Sequence, residues 1–305
     1  MKSVRVYGLG LMGTNLGLKL LSKGIKVYGE DVNTKSLERA SNLGIDVANS
    51  SQAVDLAILA MPINSIVSTL SSDKLIANTK AIIDIGGTKE KICNLMDSYE
   101  VPSIGGHPMC GISDNSSWEP DPEIYNGATF LLCETKSMDP TSREIVLEMI
   151  QLLNSKEVWI DRTHHDEIIS ITSHLPHLIS TALVGTARDN YEINEIMGMA
   201  AGGFDGATRL TRTNPEMIKD MYDTNSENIN KFLKYFLSEL MELVDLQERD
   251  ELISYLNNSV HWRIGTTGYS YAMLGTGVLS QFLFYLVDFR TQYKLPIRSA
   301  TYQNT

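Results

Sequence analysis

At positions 105 to 111 the chain reads Gly105-Gly106-His107-Pro108-Met109-Cys110-Gly111. A histidine held between glycines and a proline can serve as a general base near pH 7, ligate a metal, or fill a tight turn with its polar ring. A second stretch, Gly8-Leu9-Gly10-Leu11-Met12-Gly13, has the G-x-G-x-x-G spacing of a phosphate-cradling loop. Gly8 permits the tight turn, Gly10 lets backbone approach a pyrophosphate, and Gly13 allows a helix to pack closely on a strand. The helix that Leu11 and Met12 open would offer unpaired N–H groups to the phosphates. Asp31 stands past the next apolar run, roughly 20 residues beyond the loop, where a carboxylate accepts hydrogen bonds from an adenosine ribose. It would repel a 2′-phosphate, so the expected cofactor is NAD and not NADP. Met61-Pro62 and Gly86-Gly87-Thr88 also follow apolar runs and are expected at strand ends, lining the nicotinamide half of the site.

These groups need a scaffold, and the first half of the chain supplies the pattern of one. Apolar runs at Val4 to Tyr7, Lys26 to Gly29, Leu56 to Ala60, Ala81 to Ile85, Thr129 to Cys133 and Val158 to Ile160 read as strands. Amphipathic segments alternate with them: a helix is predicted over Leu11 to Ser22, and another after Asn33, a capping residue, through Asn42. Gly105 and Gly106 are read as the end of a further strand, with His107 following it. The pattern is that of βαβ units on a parallel sheet. Ile112 to Asn126, rich in Ser, Asp, Asn and Pro, reads as a long surface loop covering the site.

Strand-like runs stop after Asp161, and long helical patterns follow, such as Asp166 to Arg188 and Asn225 to Asp245. The expected organisation is an α/β Rossmann-type domain over residues 1–161 and an all-α domain over residues 162–305. The apolar stretch Tyr271 to Val287 is interrupted by Gly275, Gly277, Ser280 and Gln281, and reads as a buried or interface helix, not a membrane span.

With 305 residues, 43% hydrophobic and 8% aromatic, the chain can bury two cores. A formal net charge of −11 argues against nucleic acid or an anionic membrane as partner and for a small molecule. Three cysteines without C-x-x-C spacing, and an N-terminus lacking a signal-like apolar region, suggest reduced thiols in a cytoplasmic protein. His174 and His177, three apart on an apolar helical segment, share a face. Neither this pair nor His164-His165-Asp166 brings a third ligand, and no metal is expected.

Together, the glycine loop, Asp84-Ile85-Gly86-Gly87-Thr88-Lys89, His107-Pro108-Met109-Cys110-Gly111, Ser173-His174-Leu175-Pro176-His177, and Ala201-Gly202-Gly203-Phe204 with Thr208-Arg209-Leu210 resemble the prephenate dehydrogenase family. The resemblance runs from about residue 3 to about residue 262. It implies a Rossmann domain followed by a helical dimerisation domain, hence a homodimer. It also implies NAD-dependent oxidative decarboxylation of prephenate or arogenate in tyrosine biosynthesis. By the same resemblance His107 is the base, Arg209 the carboxylate anchor, and His174 or His177 a substrate contact, with His174 favoured. The chain departs from the family where a serine is replaced by Gly87, leaving Thr88 as the nearest hydroxyl and an expected substrate contact. Acidic residues usual after the histidine motif and before Thr-Arg are also missing, and no ACT domain is expected in this chain. Those departures leave room for a related cyclohexadienyl substrate such as 4-amino-4-deoxyprephenate, or for an idle NAD-binding sensor.

Overall fold

The computed structural model describes residues 1–49, 51–72, 78–110, 118–246 and 251–260. The chain divides into two compact units, Met1–Ser238 and Glu239–Thr305.

The first unit opens with β1 (Ser3–Tyr7), α1 (Leu11–Ser22), β2 (Lys26–Glu30), α2 (Thr34–Asn42), β3 (Val54–Leu59), α3 (Ile63–Leu70), β4 (Thr79–Asp84), α4 (Glu90–Met96) and β5 (Ser103–Pro108). It continues through β6 (Thr129–Cys133), α5 (Pro140–Leu153) and β7 (Lys156–Trp159). The predicted helices at Leu11 and Asn33 are present, and the Asn33 side chain caps α2 by accepting from the N–H groups of Lys35 and Ser36.

Seven strands form one sheet in the order β2-β1-β3-β4-β5-β6-β7. The first five are mutually parallel, but β6 runs antiparallel to β5 and β7 is parallel to β6. The parallel sheet expected from the pattern is present, with one antiparallel step at this edge. Between β5 and β6 the described connection carries only a 3₁₀ turn, Pro122–Tyr125, and no crossover helix, so the chain returns antiparallel. The crossover helix α5 then makes β6 and β7 parallel to each other.

Both sheet faces are covered, which explains the near-continuous apolar strands. Leu56 and Ile58 of β3 and Ala81 and Ile83 of β4 pack with Leu16 and Leu20 of α1 and Val146 and Met149 of α5. The alternate residues Ala57, Leu59 and Ile82 point to the opposite face, against Ile66 of α3 and Ile92 and Met96 of α4. Each fully buried aliphatic side chain contributes about 1.5–3 kcal/mol.

Helices follow: α6 (Arg162–Ile169), one turn of π-helix (Ser170–His174), α7 (Leu175–Asn190), α8 (Ile193–Met199), α9 (Gly202–Thr208) and α10 (Pro215–Asp245). Pro176, in the first turn of α7, has no N–H to give the preceding turn, and the backbone widens there into the π geometry. Arg162–Asn190 is long and apolar enough to cross a membrane by length and composition. Its buried residues include His165, Asp166, His174 and His177, which find partners within the protein as described below.

In the second unit, residues 251–260 are helical (α11), and the Tyr255 hydroxyl donates to Glu239 at 2.7 Å. The stretch Tyr271 to Val287 lies outside the described residues, as does the first part of the expected covering loop. The rest of that loop is docked, not free: Tyr125 is fully buried and its hydroxyl donates to the Met12 carbonyl at 2.8 Å, while the Asn15 side chain receives the Asp121 N–H at 2.9 Å.

Candidate active site

The ends of β1, β3, β4 and β5 lie at one sheet edge, because these strands are parallel, and β1 is flanked by β2 and β3, where the strand order reverses. Open α/β sheets bind ligands at such a reversal. Gly8 turns the chain out of β1 with φ +95°, and a Cβ there would sit 2.6 Å from the Ala60 carbonyl oxygen, so only glycine fits. Gly10 precedes α1 without any side-chain cap, and the space where its Cβ would stand is open within 4 Å. The first N–H groups of α1, from Leu11, Met12 and Gly13, are thus left for an anion.

Asp31 accepts the Leu9 N–H at 2.6 Å through one oxygen and the Asn33 N–H at 2.7 Å through the other. Each carboxylate oxygen keeps a second lone pair for a ribose hydroxyl. The Gly8 turn abuts the backbone of Ala60 and Met61 after β3, and Gly87 after β4 faces Ile63, next to Pro62, at the start of α3. Gly8, Met61, Pro62 and Gly87 are thereby brought into one rim, with Gly86 buried behind it. These features fit a dinucleotide: an open anion cradle, a carboxylate poised beside it, and backbone rather than side chains at the points of closest approach.

His107 lies within β5 instead of after it, a correction to the expected position, because its backbone is opposite Leu131 in the β5–β6 ladder. Gly106 precedes it because a Cβ would meet the Asp84 carbonyl oxygen at 2.6 Å. That approach is tightened by a buried ion pair between Lys89 and Asp84, both fully buried. Asp84 accepts the Gly106 N–H at 3.1 Å, and the Lys89 ammonium donates to the Gly106 carbonyl at 2.7 Å. Burial pushes the Asp84 carboxyl above the usual range, opposed by Lys89. The residue before the histidine is therefore clamped from both sides.

The His107 ring is half-buried, and its Nδ1 lies 2.9 Å from Nε2 of His165. His165 Nδ1 lies 2.7 Å from Asp166, which also accepts the N–H groups of Lys89 at 2.7 Å and Glu90 at 2.9 Å. Burial, with His165 and Lys89 nearby, holds the His107 imidazole well below its ordinary pKa. His165 is also lowered by burial, with Asp166 opposing. The ring at the sheet edge is thus neutral near pH 7, as a proton acceptor must be.

The π turn places His174 in the same network. Asn225, at a kink in α10, donates to the Asp166 carbonyl at 2.8 Å and lies 3.3 Å from His174 Nδ1. His174 is 2% exposed, its Nε2 has no partner among the described residues, and burial pulls its pKa down to about 4. His177 sits one turn on, with Nδ1 3.3 Å from the Leu210 carbonyl, and is lowered by burial. It therefore faces the Arg209 segment, while His174 faces the His165–Asp166 side.

Arg209 begins a 3₁₀ turn (Arg209–Arg212) after α9 and is exposed, with no hydrogen bond or ion pair among the described residues. Arg212 is tied to Asp205 at 2.7 Å. Thr88 does not replace the missing serine. It is fully buried and its hydroxyl donates to Thr224 of α10 at 2.9 Å, so it is turned away from the rim.

Spacing alone assigns no role to Asp84, Lys89 or Asn225, and offers His165 and Asp166 only as metal ligands. Both ring nitrogens of His165 are instead engaged by protein groups, and His164 is exposed, 3.9 Å from Glu167. The one available signal was the His-Asp pair at the start of a helix, a donor and an acceptor that can bond each other.

A glycine loop on a Rossmann-type sheet, with an acidic residue after β2 and a neutral histidine at the strand ends, defines an NAD-dependent oxidoreductase. Residues 16–159 match the family model for the prephenate dehydrogenase nucleotide-binding domain, and residues 161–258 match that for the prephenate dehydrogenase dimerization domain. The chain belongs to the prephenate dehydrogenase family. The prephenate dehydrogenase of Lactococcus lactis is 28% identical over 267 residues, covering 82% of this chain and 73% of the relative. The prephenate dehydrogenase of Aquifex aeolicus, crystallised with hydroxyphenyl propionate and NAD+, superposes with a TM-score of 0.78 at 26% identity, covering 87% of this chain and 98% of that one. Synechocystis arogenate dehydrogenase superposes with a TM-score of 0.66 at 25% identity, covering 87% and 99%.

Proposed function

We propose that this protein oxidises and decarboxylates prephenate or arogenate with NAD, in tyrosine biosynthesis. The observation that carries the reading is the position of the His107 ring at the strand ends, its Nδ1 2.9 Å from His165. Bound NAD supplies the hydride acceptor for the hydrogen on C4 of the cyclohexadienyl ring. His107 accepts the proton of the 4-hydroxyl as the carbonyl forms, and loss of the ring carboxylate as carbon dioxide restores aromaticity. General-base catalysis of this kind contributes about 10²- to 10⁴-fold in rate.

Arg209 is proposed to hold a substrate carboxylate through two parallel hydrogen bonds, supported by its having no hydrogen bond or ion pair among the described residues. His177, beside it, and His174, whose Nε2 is unpartnered among the described residues, are proposed as substrate contacts. The glycine loop (Gly8, Gly10, Leu11, Met12, Gly13), Asp31, Met61, Pro62, Gly86 and Gly87 are proposed to line the cofactor. The boundary between the two family-model matches supports a division of the chain near residue 161, and the dimerization-domain match supports a homodimer.

NADH formation at 340 nm with prephenate, arogenate and 4-amino-4-deoxyprephenate tests the activity. Reduction with none of the three would end it in favour of an NAD-binding sensor. Arg209→Ala is expected to raise KM for the substrate about 10- to 100-fold, the worth of a charge-assisted pair, and to leave KM for NAD unchanged. A substrate KM within twofold of the parent would remove Arg209 from the site.

Gly87 gives a further test. A Cβ there meets only the Ile63 side chain at 3.8 Å, an ordinary contact, so a serine fits without strain. Since an oriented donor at a reacting oxygen is worth about 10²- to 10³-fold, Gly87→Ser is expected to raise kcat with prephenate at least about tenfold. An unchanged or lower kcat with prephenate, alongside preference for the amino analogue, would move the assignment to that substrate.

A further inference from the structure

We propose that His165 is a positioning residue that fixes His107 in one tautomer, with the proton on Nδ1 and the lone pair on Nε2. The assignment follows from donor and acceptor counting along a buried chain of four groups. Asp166 receives two backbone N–H groups, at 2.7 and 2.9 Å, and its own carbonyl is bound by Asn225 at 2.8 Å. The carboxylate is an acceptor only, so His165 Nδ1, 2.7 Å away, carries the proton and donates.

A neutral imidazole with its proton on Nδ1 must accept at Nε2. His107 Nδ1 lies 2.9 Å from that atom and therefore donates to it. The proton on His107 is thereby held on the side facing His165, and Nε2 is left with its lone pair on the other edge of the ring. The direction of the whole chain is set by backbone amides that cannot lose their protons. Both His165 and Asp166 are fully buried, so water does not compete for these bonds. The two rings meet edge to face, centroids 5.1 Å apart and planes at 63°, which restricts rotation of His107.

The inference rests on His107 being the base, and its consequence is that Nε2 is the atom that takes the substrate proton. His165→Leu removes the acceptor, and His165→Gln can restore it, with its amide oxygen toward His107 and its amide N–H toward Asp166. In the full-length protein, His165→Leu is expected to lower kcat about 10²-fold with KM for NAD unchanged, and His165→Gln to stay within about tenfold of the parent. His107 is also faced by Lys89 and His174, which remain in both variants. The acid limb of kcat/KM should move in His165→Leu, which loses the acceptor facing His107 Nδ1, and stay at its parental position in His165→Gln, which keeps one, a contrast that a purely structural role would not produce.

Nitrogen-15 spectra of the histidine rings read the tautomer directly, with the His107 signals identified by their absence in His107→Asn. A protonated Nδ1 and an unprotonated Nε2 in the parent protein are expected. The opposite tautomer, a His165→Leu variant with parental kcat, or a His165→Gln variant as impaired as His165→Leu would each overturn the proposal. A parent protein that reduces no NAD with any substrate would sink the functional reading and leave the tautomer measurement standing on its own.

Discussion

Replacing His107 by asparagine is expected to lower kcat by about 10²- to 10⁴-fold while leaving the protein folded and NAD-competent. Asparagine can place an amide N–H near the Nδ1 position and keep the bond to His165, but it has no basic nitrogen to receive a hydroxyl proton. The loss should therefore fall on kcat and kcat/KM alike, with KM for NAD unmoved. The pH dependence makes the test sharper. Burial, then His165 and Lys89, depress the His107 pKa, so the neutral base persists to lower pH than an ordinary histidine would allow. Activity is present above that depressed value and is lost as pH falls through it, so the acid limb should lie below about 6.5, the unperturbed histidine value. In the asparagine variant this limb should disappear from the residual activity. Undiminished turnover would refute the assigned base.

The second large effect is expected on stability. Lys89→Met keeps most of the side-chain volume but leaves Asp84 buried without its counter-charge, and such a loss costs about 3–5 kcal/mol. The pair is fully buried, so solvent does not screen it. Lys89 also donates to the Gly106 carbonyl at 2.7 Å, so the variant frees the strand just before His107. Urea unfolding should show a lowered midpoint in Lys89→Met, and Asp84→Asn combined with it should recover much of the loss, since no charge is then left unpaired. A single-variant cost below about 1 kcal/mol would mean that the pair is not the clamp described above.

What could be read in advance and what could not divides along the range of the forces involved. The glycine loop was legible because its requirements are local: Gly8 needs a positive φ, and the helix after Gly10 needs an uncapped start. Alternation of apolar runs and amphipathic segments likewise marked most strands to within a few residues, since burial on both faces demands continuous apolar character. Arg209 and His107 were legible as types of residue in a recurring order, not as neighbours.

The tertiary structure decided which polar groups meet. His107 and His165 are 58 residues apart, and Lys89 and Asp166 are 77 apart, so no local pattern records that they form one hydrogen-bonded chain. Thr88 looked like a substitute hydroxyl by proximity in sequence, yet its bond to Thr224, 136 residues away, turns it from the rim. The reversal of β6 and β7 was equally hidden, because an apolar strand has the same pattern in either direction and only the connection sets its sense. The sequence by itself determined the residue types, the cofactor loop and the alternation of elements. The fold decided partners, tautomers and burial, because hydrogen bonding and desolvation depend on distances that exist only once the chain has packed.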